Sequence, residues 1–137
     1  MTNQLSAAEA KRLVAEAKKA REQAYTPYSH FQVGAALLLP DGSVVRGCNV
    51  ENVSYGLCIC AERVAVVTAV ASGHREFSAL GVITASSPPA APCGMCRQML
   101  AEFASDLPIV LANMQGEVEQ INLRDLLPHA FSARDLV

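Results

Sequence analysis

The sequence has no tryptophan, few aromatic residues (5%) and no long apolar run. No window reaches the ~18 consecutive apolar residues that a membrane-spanning helix needs, so a membrane partner is not expected. Basic residues are not in excess either, because 11 Lys and Arg stand against 13 Asp and Glu, a formal net charge of -2. Proteins that bind a phosphate backbone usually carry a basic excess, which argues against a nucleic-acid polymer. The expected partner is a small molecule or a protein.

The first residues, Met1 to Gln4, have neither the basic region nor the apolar run of a signal peptide, so we expect a cytoplasmic protein. Disulfides are rare in that reducing compartment, and the odd number of five cysteines cannot pair fully within one chain. Cysteines at short spacings in such a protein indicate metal binding or redox chemistry.

The length of 137 residues and the hydrophobic fraction of 51% fit one domain, which we predict to span residues 1–137. Hydrophobic periodicity and turn residues predict helices and strands in the order α-β-β-α-β-α-β, with a weak fifth strand. Strands that alternate with helices predict an α/β fold, a three-layer α-β-α sandwich around a mixed, mostly five-stranded sheet.

The bounds of these segments follow from capping and turn residues. They are a helix from the Ser6 capping box to about Ala24, strands over 31–39 and 44–50, a helix over 61–71, a strand over 77–85, a helix over 93–104, strands over 108–113 and 118–121, and a helical turn over 123–127. The helix over 61–71 is almost entirely Ala and Val, which predicts that it is buried on all sides.

Three cysteines lie at the starts of predicted helices. Cys93 and Cys96 form a C-x2-C pair, and Cys60 directly precedes the helix over 61–71. Residues three apart share a helix face, so both sulfurs of the pair can reach one ion, and a helix N-terminus favours thiolate over thiol. Three thiolates predict a tetrahedral zinc site with one free position. Such a site suits hydrolysis, because zinc lowers the pKa of bound water to about 7.

Glu62 is the candidate proton carrier of this site. It lies two residues after Cys60, a spacing at which helix residues do not face each other, so it is not expected as a further ligand. It can instead lie beside the open position and transfer a proton there. Its surroundings would have to raise the carboxyl pKa, which is near ~4.3 in water.

Two other interpretations fit the same cysteines. Cys58, together with Cys60, Cys93 and Cys96, could close a four-cysteine structural zinc site in a protein that is not an enzyme. Cys93 and Cys96 alone could be a redox pair at a helix start. The structural site leaves Glu62 without a role, and the redox pair leaves Cys60 without one.

These residues and several further segments together resemble the zinc-dependent nucleoside deaminases, in particular the small, homotetrameric, three-cysteine type of the cytidine and deoxycytidylate deaminase family. The segments that carry the resemblance are Phe31-x-Val33-Gly34-Ala35-Ala36-Leu37, Gly47-Cys48-Asn49-Val50-Glu51-Asn52, Ser54-Tyr55-Gly56-Leu57-Cys58, Cys60-Ala61-Glu62-Arg63, Pro92-Cys93-Gly94-Met95-Cys96-Arg97-Gln98 and Leu126-Leu127-Pro128-x-x-Phe131. The resemblance covers the chain from the first predicted helix almost to its end.

The resemblance implies hydrolysis of cytidine, and also of 2′-deoxycytidine, to the uridine form plus ammonia, as part of pyrimidine salvage. It implies one Zn²⁺ per subunit, bound by Cys60, Cys93 and Cys96, with Glu62 carrying the proton to N3 and then to the leaving amine. It further implies a homotetramer that shares its active sites between subunits and acts on free nucleosides.

The resemblance also implies a set of substrate contacts. Asn49 and Glu51 would hydrogen-bond the ribose, Phe31 would line the pyrimidine pocket, and the Ala61 N–H would help to hold the base. Glu51 at the 3′-hydroxyl would not discriminate ribose from deoxyribose, but its carboxylate would repel a 3′-phosphate.

Three further residues complete the expected site. The resemblance implies that Tyr55 and Phe131 reach active sites in neighbouring subunits. Arg63 has a physical interpretation of its own, because three thiolates and Zn²⁺ together leave a net negative charge that weakens the metal as a Lewis acid. A guanidinium beside the sulfurs would draw charge away and restore that acidity.

The runner-up function is deamination of another aminopyrimidine nucleoside, as in blasticidin deaminases. That type is similar to this chain around Pro92 to Gln98 and less similar over Asn49 to Asn52.

Overall fold

The computed structural model describes residues 4–137. Its helices and strands are α1 (Ala7–Arg21), β1 (Gly34–Leu38), β2 (Val44–Cys48), α2 (Ala61–Ala71), β3 (Ala79–Thr84), α3 (Gly94–Phe103), β4 (Pro108–Asn113), β5 (Val118–Asn122) and α4 (Leu123–Leu126), with short 3-10 helices at Tyr55–Leu57 and Ala133–Leu136. Within this range, none of the helices has the length and apolar character to cross a membrane.

The five strands form one mixed sheet in the order β2-β1-β3-β4-β5. Strands β3 and β4 run parallel, and the other neighbouring pairs run antiparallel. Helix α1 packs on one face, against Ala36 and Leu38 of β1. Helices α2 and α3 pack on the opposite face, against Leu37 and its neighbours. The predicted α/β sandwich of three layers around a five-stranded sheet is therefore confirmed.

Helix α1 begins at the capping box that the sequence predicts. The Glu9 N–H donates to Ser6 Oγ, and the Ser6 N–H donates to the Glu9 carboxylate, each at 3.1 Å. The helix ends at Arg21, earlier than the predicted end near Ala24. The chain turns there because Tyr25 pairs with the strand-like segment around Val50, which lies after β2.

Helix α2 is not buried on all sides, so that part of the prediction is wrong for the single chain. Ala61, Ala65 and Ala69 are buried against the sheet, whereas the Val67 side chain is 46% exposed. The sheet covers one side of the helix and α3 lies beside it, which leaves the outer side open. An Ala and Val composition shows that a helix is apolar, but it does not show what covers each side.

Two glycines let the helices approach the β1–β2 hairpin closely, on opposite faces. A Cβ atom at Gly47 would overlap the Ala61 carbonyl oxygen and lie 2.5 Å from the Ala65 backbone nitrogen of α2. A Cβ atom at Gly34 would lie 2.7 Å from the Arg21 backbone nitrogen of α1. Glycine at position 47 therefore sets how closely the N-terminus of α2 can approach β2.

We expect Gly47→Ala to destabilise the fold by about 1–3 kcal/mol, because the new methyl group meets helix backbone that cannot move aside without repacking. Chemical denaturation of zinc-saturated protein measures the effect. Gly56→Ala is the matched control, since a Cβ atom there meets nothing within 4 Å. Equal stability of the two variants would contradict the close-approach argument.

Candidate active site

Three cysteine sulfurs meet where the N-termini of α2 and α3 lie at one end of the sheet. Cys60 is the N-cap of α2 and Cys93 is the N-cap of α3, both with extended backbone. Cys96 lies one turn into α3 and is fully buried. The Cys60–Cys93 sulfur distance is 3.7 Å, the Cys93–Cys96 distance is 3.5 Å, and all three sulfurs lie within 4.8 Å of one another.

This spacing fits zinc. A tetrahedral zinc ion with Zn–S bonds of ~2.3 Å holds its sulfur ligands ~3.8 Å apart, close to the distances seen here. Thiolates are ligands that zinc prefers, and three of them leave one position of a tetrahedral ion free for a further ligand. Cys60, Cys93 and Cys96 can therefore hold the zinc ion that the sequence predicts.

Cys58 does not join this cluster. Its sulfur accepts a hydrogen bond from the Asn52 N–H at 3.3 Å and lies 3.6 Å from the Asn52 carbonyl oxygen. The closed four-cysteine structural site is therefore not formed. The redox interpretation also loses its basis, because Cys93 and Cys96 share their surroundings with a third sulfur instead of forming an isolated pair.

The sulfur cluster and Glu62 shift one another's pKa values. Hydrogen bonding from the Cys96 thiol, together with the Arg63 guanidinium, lowers the pKa of Cys60 to about 5. The Cys60 thiolate in turn raises the pKa of Cys96. Glu62 is 5% exposed, and burial, followed by the Cys60 charge, raises its carboxyl pKa. Glu62 therefore has the raised pKa that its predicted role requires.

Arg63 lies beside the sulfurs, as predicted from the sequence. Its Nη2 atom donates to the Cys58 carbonyl oxygen at 3.3 Å and approaches the Cys60 sulfur at 3.8 Å. Hydrogen bonding and attraction to the Cys60 thiolate outweigh desolvation and raise the guanidinium pKa. This position gives the sulfurs a permanent positive neighbour.

Glu51 is held by the segment that precedes β1. Its Oε1 accepts the Tyr28 and Ser29 N–H groups at 3.0 and 3.1 Å, and its Oε2 accepts the Ser29 hydroxyl. The Ser29 hydrogen bonds lower the pKa of the Glu51 carboxyl, so it is held in the ionised form. Glu51 is thus fixed as a hydrogen-bond acceptor.

Asn49 also hydrogen-bonds the segment that precedes β1. Its Oδ1 accepts the Val33 N–H at 2.9 Å, and its Nδ2 donates to the Phe31 carbonyl oxygen at 2.8 Å. Two backbone hydrogen bonds then join Val50 to Ile59, next to Cys60, at 3.0 and 2.9 Å. These contacts link Phe31, Asn49 and the start of α2 into one framework.

The other three predicted site residues differ in burial. Ala61 is buried at the first position of α2. Tyr55 is 73% exposed and its ring packs edge-on against Tyr28 at a centroid distance of 5.9 Å. Phe131 is 58% exposed, and its carbonyl oxygen accepts a hydrogen bond from Gln98 on α3 at 2.9 Å. Both aromatic side chains are accessible at the surface of the chain.

Comparison with known proteins decides the family. The sequence model of the cytidine and deoxycytidylate deaminase zinc-binding region matches residues 7–112. The chain belongs to this family. Cytidine deaminase from Sporosarcina psychrophila is 52% identical over 126 residues, which cover 91% of this chain and 93% of that protein. The crystal structure of cytidine deaminase from Burkholderia pseudomallei superposes with a TM-score of 0.86 at 53% identity, covering 88% of this chain and 98% of that one.

A relative that bears on the runner-up function is less similar to this chain. Blasticidin-S deaminase from Bacillus cereus is 28% identical over 104 residues, which cover 70% of this chain and 74% of that protein. The cytidine deaminase from Sporosarcina psychrophila is thus more similar, and over a longer part of the chain.

Arg97 makes two backbone contacts beyond those predicted from the sequence. Its Nε donates to the carbonyl oxygen of Pro92 at 2.7 Å, and its Nη1 donates to the carbonyl oxygen of Leu126 at 2.9 Å. Arg97 therefore ties the residue before Cys93 to helix α4. Because Arg97 lies one helical turn after Cys93, its contact with Pro92 at the start of the same helix could be expected from the sequence. Nothing in the sequence indicates the contact with Leu126.

We expect Cys96→Ser to lose bound zinc and Cys58→Ser to keep about one zinc per chain, because Cys96 lies in the sulfur cluster and Cys58 does not. Elemental analysis after dialysis against buffered zinc measures both variants. Loss of zinc from Cys58→Ser would contradict the three-cysteine site and restore the four-cysteine alternative.

Proposed function

We propose that this chain catalyses the zinc-dependent hydrolytic deamination of cytidine, and of 2′-deoxycytidine, to uridine or deoxyuridine plus ammonia. One observation carries the proposal: a buried carboxyl group with a raised pKa, that of Glu62, lies beside three zinc-spaced sulfurs at two helix N-termini. Membership of the family and relatives named cytidine deaminase at about half sequence identity support it.

The chain's own residues carry out the proton transfers. When bound, zinc supplies a Lewis acid that makes a water molecule nucleophilic near neutral pH. Glu62 takes one proton from the water that adds to C4 and delivers it to N3 of the pyrimidine. It then transfers the proton of the hydroxyl group now on C4 to the 4-amino group, which leaves as ammonia. Water and cytidine thus give uridine and ammonia. A carboxyl pKa above the usual range suits a group that must both accept and donate a proton.

Replacing Glu62 by Gln removes this proton carrier and keeps the size of the side chain. We expect Glu62→Gln to fold, to bind zinc and to lose at least about 10²–10⁴-fold in kcat, the usual contribution of a positioned acid–base group. The ultraviolet change from cytidine to uridine measures turnover.

Glu119→Gln, at an exposed position on β5, is the control and should keep full activity. Normal turnover by Glu62→Gln would refute the assignment of the proton carrier. Absence of turnover by the zinc-loaded native protein would instead refute cytidine as the substrate.

Arg63 has a proposed role as the charge-balancing neighbour of the thiolates. Three thiolates on a divalent ion leave a net negative charge, which weakens the pull of the metal on a bound water. The Nη2 contact with the Cys60 sulfur at 3.8 Å draws electron density from that ligand. Arg63 therefore tunes the acidity of the site without touching substrate.

We expect Arg63→Ala to lower kcat by about 10–100-fold at equal zinc content, the usual effect of removing a partner of a metal ligand. Arg75→Ala is the matched control, because Arg75 donates to the backbone at the opposite end of α2 and should leave turnover unchanged. Zinc analysis and steady-state kinetics check both variants. Full activity of zinc-loaded Arg63→Ala would exclude the proposed role.

The substrate contacts proposed for this site use four residues. Phe31 lines the pyrimidine pocket, the Ala61 N–H holds the base, and Asn49 and Glu51 bind the ribose. Glu51 is ionised and already accepts three hydrogen bonds, so its remaining acceptor site is open to a hydroxyl, and its charge repels a phosphate at the same place. Free nucleosides, as in pyrimidine salvage, are therefore the proposed substrates.

A homotetramer with shared active sites is the proposed assembly, in which Tyr55 and Phe131 reach neighbouring subunits. The exposure of both rings and the open apolar side of α2 at Val67 support an association of chains. The proposed location is the cytoplasm, where a reducing environment keeps a cluster of free thiols intact.

A further inference from the structure

The segment from Thr26 to Phe31 wraps around the carboxylate of Glu51. The backbone N–H groups of Tyr28 and Ser29 both donate to Oε1, so that oxygen is fixed by main chain alone. The other oxygen, Oε2, is held by the Ser29 hydroxyl. One side chain in the segment therefore controls the orientation of the second oxygen.

The same hydroxyl also accepts a hydrogen bond from the Phe31 N–H at 3.0 Å. The intervening residue, His30, has a left-handed backbone with a φ of 57°, which brings Phe31 back toward Ser29. A hydroxyl that donates to Glu51 and accepts from Phe31 joins the proposed ribose contact to the proposed base contact. Among the described hydrogen bonds, no other side chain links these two residues.

A carboxylate has about four acceptor sites, and three donors occupy Glu51 here. One site remains for a ligand hydroxyl, and its direction depends on how the carboxylate is rotated. Because two of the three donors converge on Oε1, the Ser29 hydroxyl is the contact that sets this rotation. Without it the carboxylate would keep its place but lose its fixed direction.

We infer that Ser29 is a positioning residue that sets the specificity for the sugar 3′-hydroxyl, acting through Glu51. The inference rests on the proposed function, since it concerns how the same site binds its nucleoside. Ser29 itself is not a catalytic residue, and its contribution lies in binding. The expected signature is a change in KM that depends on the 3′-hydroxyl, with little change in kcat.

The test compares cytidine with 3′-deoxycytidine for the native protein and for Ser29→Ala. We expect Ser29→Ala to raise the KM for cytidine about tenfold and to change kcat less than about twofold, as for loss of a contact made equally in ground and transition states. The KM for 3′-deoxycytidine should change less than about twofold, because that substrate has no hydroxyl for Glu51 to bind. Ser29→Thr, which keeps the hydroxyl at an exposed position, should restore cytidine binding.

Ser43→Ala is the matched control. The Ser43 hydroxyl also donates to a carboxylate, that of Asp41 at 2.6 Å, but it lies in the turn between β1 and β2. This variant should behave as native protein with both substrates. The control shows whether losing any serine–carboxylate hydrogen bond raises KM, or only losing the one to Glu51.

Different outcomes overturn different statements. Equal losses on both substrates by Ser29→Ala, or a loss confined to its melting temperature, would overturn the inference and leave Ser29 a purely structural residue. An unchanged KM for cytidine would overturn it as well. No turnover of cytidine by the native zinc-loaded protein would overturn the proposed function itself, and the inference with it.

Discussion

The arrangement of this site depends on the N-termini of α2 and α3, which meet at the sulfur cluster. Cys60 caps α2 and Cys93 caps α3, so both sulfurs lie where unpaired N–H groups and the helix dipoles favour negative charge. Gly47 allows α2 to lie close to the sheet, and Arg97 ties the residue before Cys93 to α4. The spacing of the sulfurs is thus set by how two helices pack, and the zinc-binding chemistry follows from that packing.

Two carboxyl groups of this chain, those of Glu62 and Glu51, have opposite environments. Glu62 is buried beside thiolate charge, and its pKa is raised. Glu51 accepts three hydrogen bonds from the segment that precedes β1, and its carboxyl pKa is lowered. The first can therefore exchange a proton at a pH where the second remains an anion. The same type of side chain thus fits the proposed proton carrier at position 62 and an ionised hydrogen-bond acceptor at position 51.

Features with a local signal could be predicted from the sequence. The Ser6 capping box and the C-x2-C pair at a helix start each depend on neighbours within a few residues, and each is present. The family resemblance supplied what spacing alone left open, since the residues by themselves also allowed a four-cysteine site. Cys58 could be excluded only from the position of its sulfur at Asn52.

What the sequence did not predict depends on distant partners. The contacts of Glu51 with Tyr28 and Ser29, and of Arg97 with Leu126, join segments far apart in the chain, and no periodicity indicates them. The exposed side of α2 was missed for a related reason. An apolar composition shows that a helix favours burial. Which of its sides are buried depends on the helices and sheet that pack against it.

The two close glycine approaches have a consequence for strand pairing. Gly34 faces α1 and Gly47 faces α2, and both lie at the same end of the hairpin, where Gly34 pairs with Cys48 and Ala35 with Gly47. A slip of one residue would turn each side chain to the opposite face and drive a Cβ atom into helix backbone. The alignment of the two strands is thereby locked. Asn49 follows β2 directly and hydrogen-bonds Phe31 and Val33, which lie just before β1, so the strand alignment also sets the separation of Phe31 and Asn49.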